Sequence, residues 1–532
     1  MPRARWWTAL ITILLLIGCG GSERGKLRLL IVGIDGADWS TIRPLLSQGD
    51  LPHVRDMIRD GAHGPLWSIR PLSSPLAWTT IATGRDPAAH RILSPDAAAE
   101  GRHRGCRAFW DILSDQGISC DVIGWSATCP AESIAGVMVA GADPETPCPR
   151  WIHPREREAE IRGLLGQPLD APGEVDPELR DTFQRMRDRA SIARYLMEED
   201  PPAVLAIGFQ GLAAAARVGK LEDAYRYQDR LLGELLAGID PETTVMVLSG
   251  HGLEIDPEPA ARIEGVLLMQ GPPVRRREKE SDPAAVHGQA TLFDITPTIL
   301  ALTGLGASED MEGEVLTEML VSGFAPPARV RSFEPDPSPE APPFTSDERR
   351  LLADYYLSRR QYERAADHLR VLCQEMPDST GPFNQLGVVY MQFEDYNNAR
   401  RMFEHVLEID PRQLQARMNL AFVLRELRLT PRAAELLEEG VVQRPHHAGM
   451  RVNLGMLYKE MDQLDASLAC FEEAIRLNPD YHPAHVQAAM VYERKRNIPA
   501  AMEHWREALR IRPGDDQARR RLERLERGLG GE

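Results

Sequence analysis

Positive charge is what this chain is short of. Its 62 lysines and arginines face 79 aspartates and glutamates, a formal net charge of −17 at pH 7. A balance this acidic gives no general affinity for nucleic acid or anionic lipid, so no nucleic-acid partner is expected. Cysteine is sparse as well. There are 7 among 532 residues, and no Cys-x-x-Cys spacing of the zinc-finger kind occurs. Beyond residue 17 the chain has no apolar run long enough to read as a membrane span. The length allows more than one domain.

The first residues read as a targeting segment. Arg3 and Arg5 precede an apolar run from Trp6 to Ile17, which closes with Leu16-Ile17-Gly18-Cys19. The run is too short to cross a bilayer comfortably, as signal-peptide cores usually are. Leu-x-Gly-Cys resembles a bacterial lipobox. That resemblance implies cleavage before Cys19, lipidation of its thiol and attachment to the cell envelope, with an ordinary signal peptide or short anchor as alternatives. Gly20 after the cysteine fits the periplasmic face of an outer membrane. Cys106, Cys120, Cys129 and Cys148 cluster in sequence, and an oxidising compartment permits disulfides whose connectivity stays open. Cys373 and Cys470 fall at helical core positions and are expected as buried thiols.

Leu29-Leu30-Ile31-Val32-Gly33-Ile34 reads as a strand buried on both faces, with Asp35 at its carboxyl end and Gly36 at the turn. A carboxylate there suits a metal or phosphate site, or else a helix N-cap. Further strands are expected over Cys120–Trp125, Ala135–Ala140, Ala203–Ile207, Thr244–Leu248 and Gly265–Met269. Helices are expected near Ile42–Ile58, Ser74–Thr83, Phe109–Leu113 and Asp294–Leu300, with a charged helical stretch over 155–200. Alternation of this kind indicates a three-layer α/β/α sandwich over 27–322. Prolines 326, 327, 335, 337, 339, 342 and 343 mark a stiff linker over 323–345.

From Ser346 the chain repeats. Pro377, Pro411, Pro445, Pro479 and Pro513 recur every 34 residues. Ala365, Ala399, Ala433, Ser467 and Ala501 stand at one fixed offset from them, and Ala353, Gly387, Ala421, Gly455 and Ala489 at another. The pattern is similar to the tetratricopeptide repeat: five units over 346–513, then a capping helix over 514–532. The resemblance implies an all-α solenoid whose concave face takes a peptide or protein partner, with a pure spacer as the alternative.

The α/β half resembles the alkaline phosphatase superfamily, in its type I phosphodiesterase and nucleotide pyrophosphatase branch. Five stretches carry the likeness: Ile34-Asp35-Gly36-Ala37-Asp38-Trp39, Ser74-Pro75-Leu76-Ala77-Trp78 through Gly84, Gly124-Trp125-Ser126-Ala127-Thr128, Ser249-Gly250-His251-Gly252 and Asp294-Ile295-Thr296-Pro297-Thr298-Ile299-Leu300. The family's chemistry uses paired zinc ions and a hydroxyl nucleophile. Ser74 falls at the nucleophile position, where it could equally be an N-cap. Ala77 stands where a sulfatase would need arginine. Of the ligand positions, only Asp35 and His251 keep a donor. Gly250 replaces an aspartate, and Gln210, Ala214 and Ala261 replace the ligands of the other ion. Glu254, Asp256 and His287 have no spacing that recommends them as substitutes.

The reading is therefore an envelope-anchored, catalytically degenerate phosphodiesterase-like domain joined to a protein-binding repeat scaffold. It binds no cofactor, or binds one weakly. The alternatives are an active zinc-dependent phosphodiesterase or phosphatase using Ser74, and a purely structural spacer.

Overall fold

The structure is a computed structural model that describes residues 25–70, 73–93, 104–141, 148, 150–166, 177–253, 264–275, 290–333 and 343–529. Cys19 and its leader, Ala261, Glu254, Asp256 and His287 lie outside the described residues. The chain divides into two compact units between Pro343 and Phe344.

The first unit is built on a mixed sheet. Its strands are β1 (Leu29–Ile34), β2 (Ala62–Trp67), β3 (Cys120–Ser126), β4 (Met138–Gly141), β5 (Ile152–His153), β6 (Val204–Phe209), β7 (Thr244–Ser249) and β8 (Glu264–Gln270). Their order is β2-β8-β7-β1-β6-β3-β4-β5. β1 runs parallel to β6 and β7, and β3 runs parallel to β6 and β4. β8 and the two edge strands β2 and β5 are antiparallel to their neighbours.

The helices that cover the sheet are α1 (Trp39–Gln48), α2 (Pro52–Asp60), α3 (Ser74–Thr83), α4 (Phe109–Asp115), α5 (Arg180–Glu199), α6 (Leu221–Leu236) and α7 (Ile295–Leu302). Leu30, Val32, Leu205, Ile207, Val245 and Val247 enter one core with α1, α2, α5 and α6. The alternate residues Leu29, Ile31, Ala206 and Met246 are equally buried. They face the other side, where α3, α4 and α7 contact one another. Burial on both faces is why these strands read as unbroken apolar runs.

Several expectations change here. Cys129 and Cys148 form a disulfide, while Cys106 and Cys120 are buried outside it. Cys373 and Cys470 are half-buried, because they border their repeat cores instead of filling them. Strand β4 begins at Met138, later than Ala135. Residues 324–333 are also no free linker. Val330 N–H donates to Ala307 O at 2.9 Å, and Arg329 donates to the carbonyls of Ser308 and Met311. These bonds hold the stretch against the first unit.

The second unit is a helical array. First helices of successive repeats span Ser346–Ser358, Thr380–Gln392, Leu414–Glu426, Ala448–Glu460 and His482–Arg494. Their second helices span Tyr362–Glu375, Tyr396–Ile409, Thr430–Gln443, Leu464–Leu477 and Ile498–Ile511, and Asp516–Leu529 follows. Where paired helices cross, side-chain volume is traded. Gly387 abuts the ring of Phe403, and Gly455 abuts that of Phe471. The turn inside every repeat puts one non-glycine residue at positive φ: Arg360, Glu394, Arg428, Asp462 and Arg496, at 57° to 63°.

Candidate functional site

Asp35 follows β1, at the carboxyl edge of the sheet. It is no helix cap. That task falls to Asp38, whose carboxylate accepts from Thr41 N–H at 2.8 Å to start α1. The Asp35 carboxylate instead takes two side-chain donors, Ser74 Oγ–H on Oδ2 and Trp78 Nε1–H on Oδ1, each at 2.8 Å. Ser74 and Trp78 lie one turn apart on α3, so one helix face delivers both. Gly33 makes room for this arrangement, since a Cβ there would meet the Trp78 ring at 2.6 Å. Trp125, from β3, packs edge-on against Trp78 at 4.9 Å and donates to its carbonyl.

Ser74 is also no cap. Ser73 is the extended N-cap residue and makes no capping bond, so α3 begins one residue earlier than the Ser-Pro signal implies. This frees the Ser74 hydroxyl for Asp35.

His251 arrives from the loop after β7. Ser249 pins that loop to the one after β1: its hydroxyl donates to His251 O at 2.8 Å and accepts from Ala37 N–H at 3.0 Å. The imidazole Nδ1 lies 2.9 Å from Gly252 O, which can only accept, so Nδ1 carries a proton. Nε2 then faces Asp35 Oδ1 at 3.5 Å and has no hydrogen-bond partner.

The remaining positions supply no ligands. A Cβ on Gly250 would press on Ala77 and Ile81 at 3.2 Å, so an aspartate there would require the α3 side chains to give way. Gln210 is engaged at both ends. Its Oε1 accepts from Arg189, and its Nε2 donates to Gly124 O at 3.0 Å. Arg189 also donates to Gly208 O at 2.8 Å. Ala214 is a half-buried methyl in the short helix Leu212–Arg217. Among the described residues no three His, Cys, Asp or Glu side chains are grouped to hold a metal ion. A pair of zinc ions each needing three or four protein donors does not fit this set.

Asp35, Ser74 and His251 thus come together as the sequence motifs imply, and Gln210 directly follows the neighbouring strand β6. Trp78 and Arg189 were missed. Trp78 had a signal, its spacing of one helical turn from Ser74. Arg189 had none, because only the fold carries α5 to the end of β6.

A mainly parallel sheet between helices, with an aspartate, serine and histidine gathered at its carboxyl edge, defines an alkaline phosphatase-like unit ahead of a helical solenoid. More particularly, residues 29–271 match the family described as type I phosphodiesterase / nucleotide pyrophosphatase. Residues 382–413 and 451–481 match tetratricopeptide repeats. The chain therefore joins an alkaline phosphatase superfamily domain to a tetratricopeptide repeat array. No curated protein matches it.

Solved structures similar to it include MamA, from residue 41, of Desulfovibrio magneticus RS-1. It is 23% identical and covers 32% of this chain and 97% of that one, with a TM-score of 0.30. YrrB, titled a TPR protein with an unusual peptide-binding site, is 23% identical over 34% of this chain and 92% of its own, at 0.30. TTC0263, a thermophilic TPR protein of Thermus thermophilus, is 18% identical over 34% and 98%, at 0.29.

Proposed function

We propose that this protein is an envelope-anchored scaffold in which a phosphodiesterase-like domain has lost two-zinc hydrolysis and the repeats bind a protein partner. The observation that carries the first half is the state of the ligand positions. Gly250 and Ala214 offer no donor, and Gln210 is spent on Arg189 and Gly124. The carboxylate of Asp35 is already satisfied by Ser74 and Trp78.

Support for the second half lies in the repeats, a module that generally mediates protein–protein contact. First helices of successive repeats touch one another from the second repeat to the fifth, which makes them the inner wall of the array. Val388 and Phe422 occupy the same repeat position on that wall and are 38% and 39% exposed. An apolar segment of a partner protein fits such a wall. The anchor rests on Cys19 alone, and Cys19→Ser is expected to move the protein out of the membrane fraction.

One observation favours the second reading, an active enzyme with a single ion. Nε2 of His251 and Oδ1 of Asp35, 3.5 Å apart, stand as two donors of one tetrahedral ion do at bond lengths of about 2.0 to 2.2 Å. Zinc content and hydrolysis of a chromogenic phosphodiester decide between the two. Stoichiometric zinc, with turnover abolished in Ser74→Ala, would establish the enzyme. Absence of turnover with zinc supplied supports the scaffold.

A further inference from the structure

Several arginines of the first unit that lie near the sheet are paired with carboxylates. Arg104 is held by Glu132 and Asp111, Arg187 by Glu234, and Arg226 by Asp50. Two arginines on α5 break this pattern. Arg185 and Arg189 stand one helical turn apart, which puts them on one face of the helix. Among the described residues neither has a carboxylate within ion-pairing distance. Arg189 gives its hydrogen bonds to Gly208 O and the Gln210 amide, both neutral, and Arg185 donates only to the Thr182 hydroxyl, at 3.3 Å.

The place of this pair is specific. Gly208 and Gln210 are at the carboxyl end of β6, and Gly124 is near that of β3. Gly124 has a φ of +63° and marks the break in register between β3 and β4. A Cβ on it would collide with the Arg189 guanidinium. The strand has thus yielded side-chain space to this one arginine. Desolvation and the neighbouring charge of Arg185 pull the Arg189 guanidinium down to about 10, the direction expected of a cation without a counter-ion.

A half-buried guanidinium that no anion meets, standing at a ligand-binding edge, marks a place for an anion. We propose that Arg185 and Arg189 form a metal-free site for a phosphoryl oxyanion at the carboxyl ends of β3 and β6, with the Gln210 amide, bonded between Arg189 and Gly124 O, holding the Arg189 guanidinium in place. Guanidinium forks match phosphate oxygens bidentately, and here they supply the positive charge that Gln210 and Ala214 do not recruit as zinc. The inference rests on the reading that the domain has lost its zinc pair. It goes beyond that reading by making the domain a binder of phosphorylated ligands.

The test uses the full chain in excess EDTA. Inorganic phosphate and acetate are titrated at equal ionic strength, followed by calorimetry and by the thermal midpoint. Phosphate is expected to bind and to raise the midpoint, and acetate to do neither. Arg189→Gln should weaken phosphate binding by roughly tenfold or more, since a charge-assisted pair of bonds is lost. Arg185→Gln should weaken it less. Arg189→Lys keeps the charge without the fork and should remain folded while binding less well. In the absence of phosphate, Arg189→Gln should be at least as stable as the parent, an outcome that a purely structural arginine would not give. No binding in EDTA, equal binding by Arg189→Gln, or acetate binding as well as phosphate would each overturn the proposal. Zinc-dependent turnover through Ser74 would instead overturn the reading of the domain as degenerate, so the two failures are separable.

Discussion

At the scale of single residues, Asp35 is best understood by what donates to it. A carboxylate used only to hold a metal could be removed without harm to the fold. Asp35 also satisfies Ser74 and Trp78, and Trp78 ties α3 to β3 through Trp125. Asp35→Ala should therefore destabilise the first unit by about 1–3 kcal/mol in urea unfolding, the cost of stranding half-buried donors. Asp35→Asn, which keeps one acceptor oxygen, should cost less. An unchanged midpoint in Asp35→Ala would mean that the carboxylate has no structural part.

His90 gives the pH counterpart. It is fully buried, its Nδ1 accepts from Ile92 N–H, and its Nε2 faces Thr80 Oγ1 at 3.0 Å. Burial pushes the imidazole down to about 3 from an ordinary value of 6.5. The unfolded chain then binds the proton more readily than the folded one, so stability rises with pH between those values. His90 contributes fully above about 6.5, and that contribution drains away as pH falls toward about 3, at up to about 1.4 kcal/mol per unit. His90→Gln should flatten the slope of stability against pH over that window.

At the scale of elements, legibility followed periodicity. The strands β1, β3, β6, β7 and β8 were readable because burial on both faces leaves continuous apolar runs. β2 was not: Ala62-His63-Gly64-Pro65-Leu66-Trp67 has neither a run nor an alternation. It exists because an edge strand needs only one partner, here β8, and so tolerates Pro65. The repeats were legible for the opposite reason, since one spacing recurs through the whole array.

That recurrence hides a trade in volume. Sixteen residues after each small crossing residue stands its packing partner, and every partner is fully buried. Ala353 and Ala421 are followed by Leu369 and Leu437, whereas Gly387 and Gly455 are followed by Phe403 and Phe471; the last repeat departs from the trade, with Ala489 followed by Trp505. Gly455→Ala should cost about 1–3 kcal/mol, because the new methyl would meet the Phe471 ring at 2.6 Å. Adding Phe471→Leu should restore part of the loss, and a double-mutant cycle measures the coupling. The turns offer the reverse test. Arg428 is held at a φ of 63° that glycine adopts freely, so Arg428→Gly should gain about 0.5–1 kcal/mol in thermal unfolding.

At the scale of the whole molecule, the acidic composition spoke to partners and left the architecture to the local patterns. The candidate site was half legible: motifs placed Asp35, Ser74 and His251, while Arg189 needed the sheet to fold before it could reach Gln210. The same division applies to stability. The sheet's core on one face draws only on residues before Gln270, and the repeat cores only on residues after Leu352. A chain with separate cores need not unfold in one step, and a single unfolding free energy would not describe it. Calorimetry of the full chain should resolve two transitions. His90→Gln should move one of them with pH, Gly455→Ala should move the other, and the double variant should show the two shifts added without coupling. If either substitution displaces both transitions together, the units are energetically one body. Occupancy of the Arg189 site would then be felt by whatever the repeats hold.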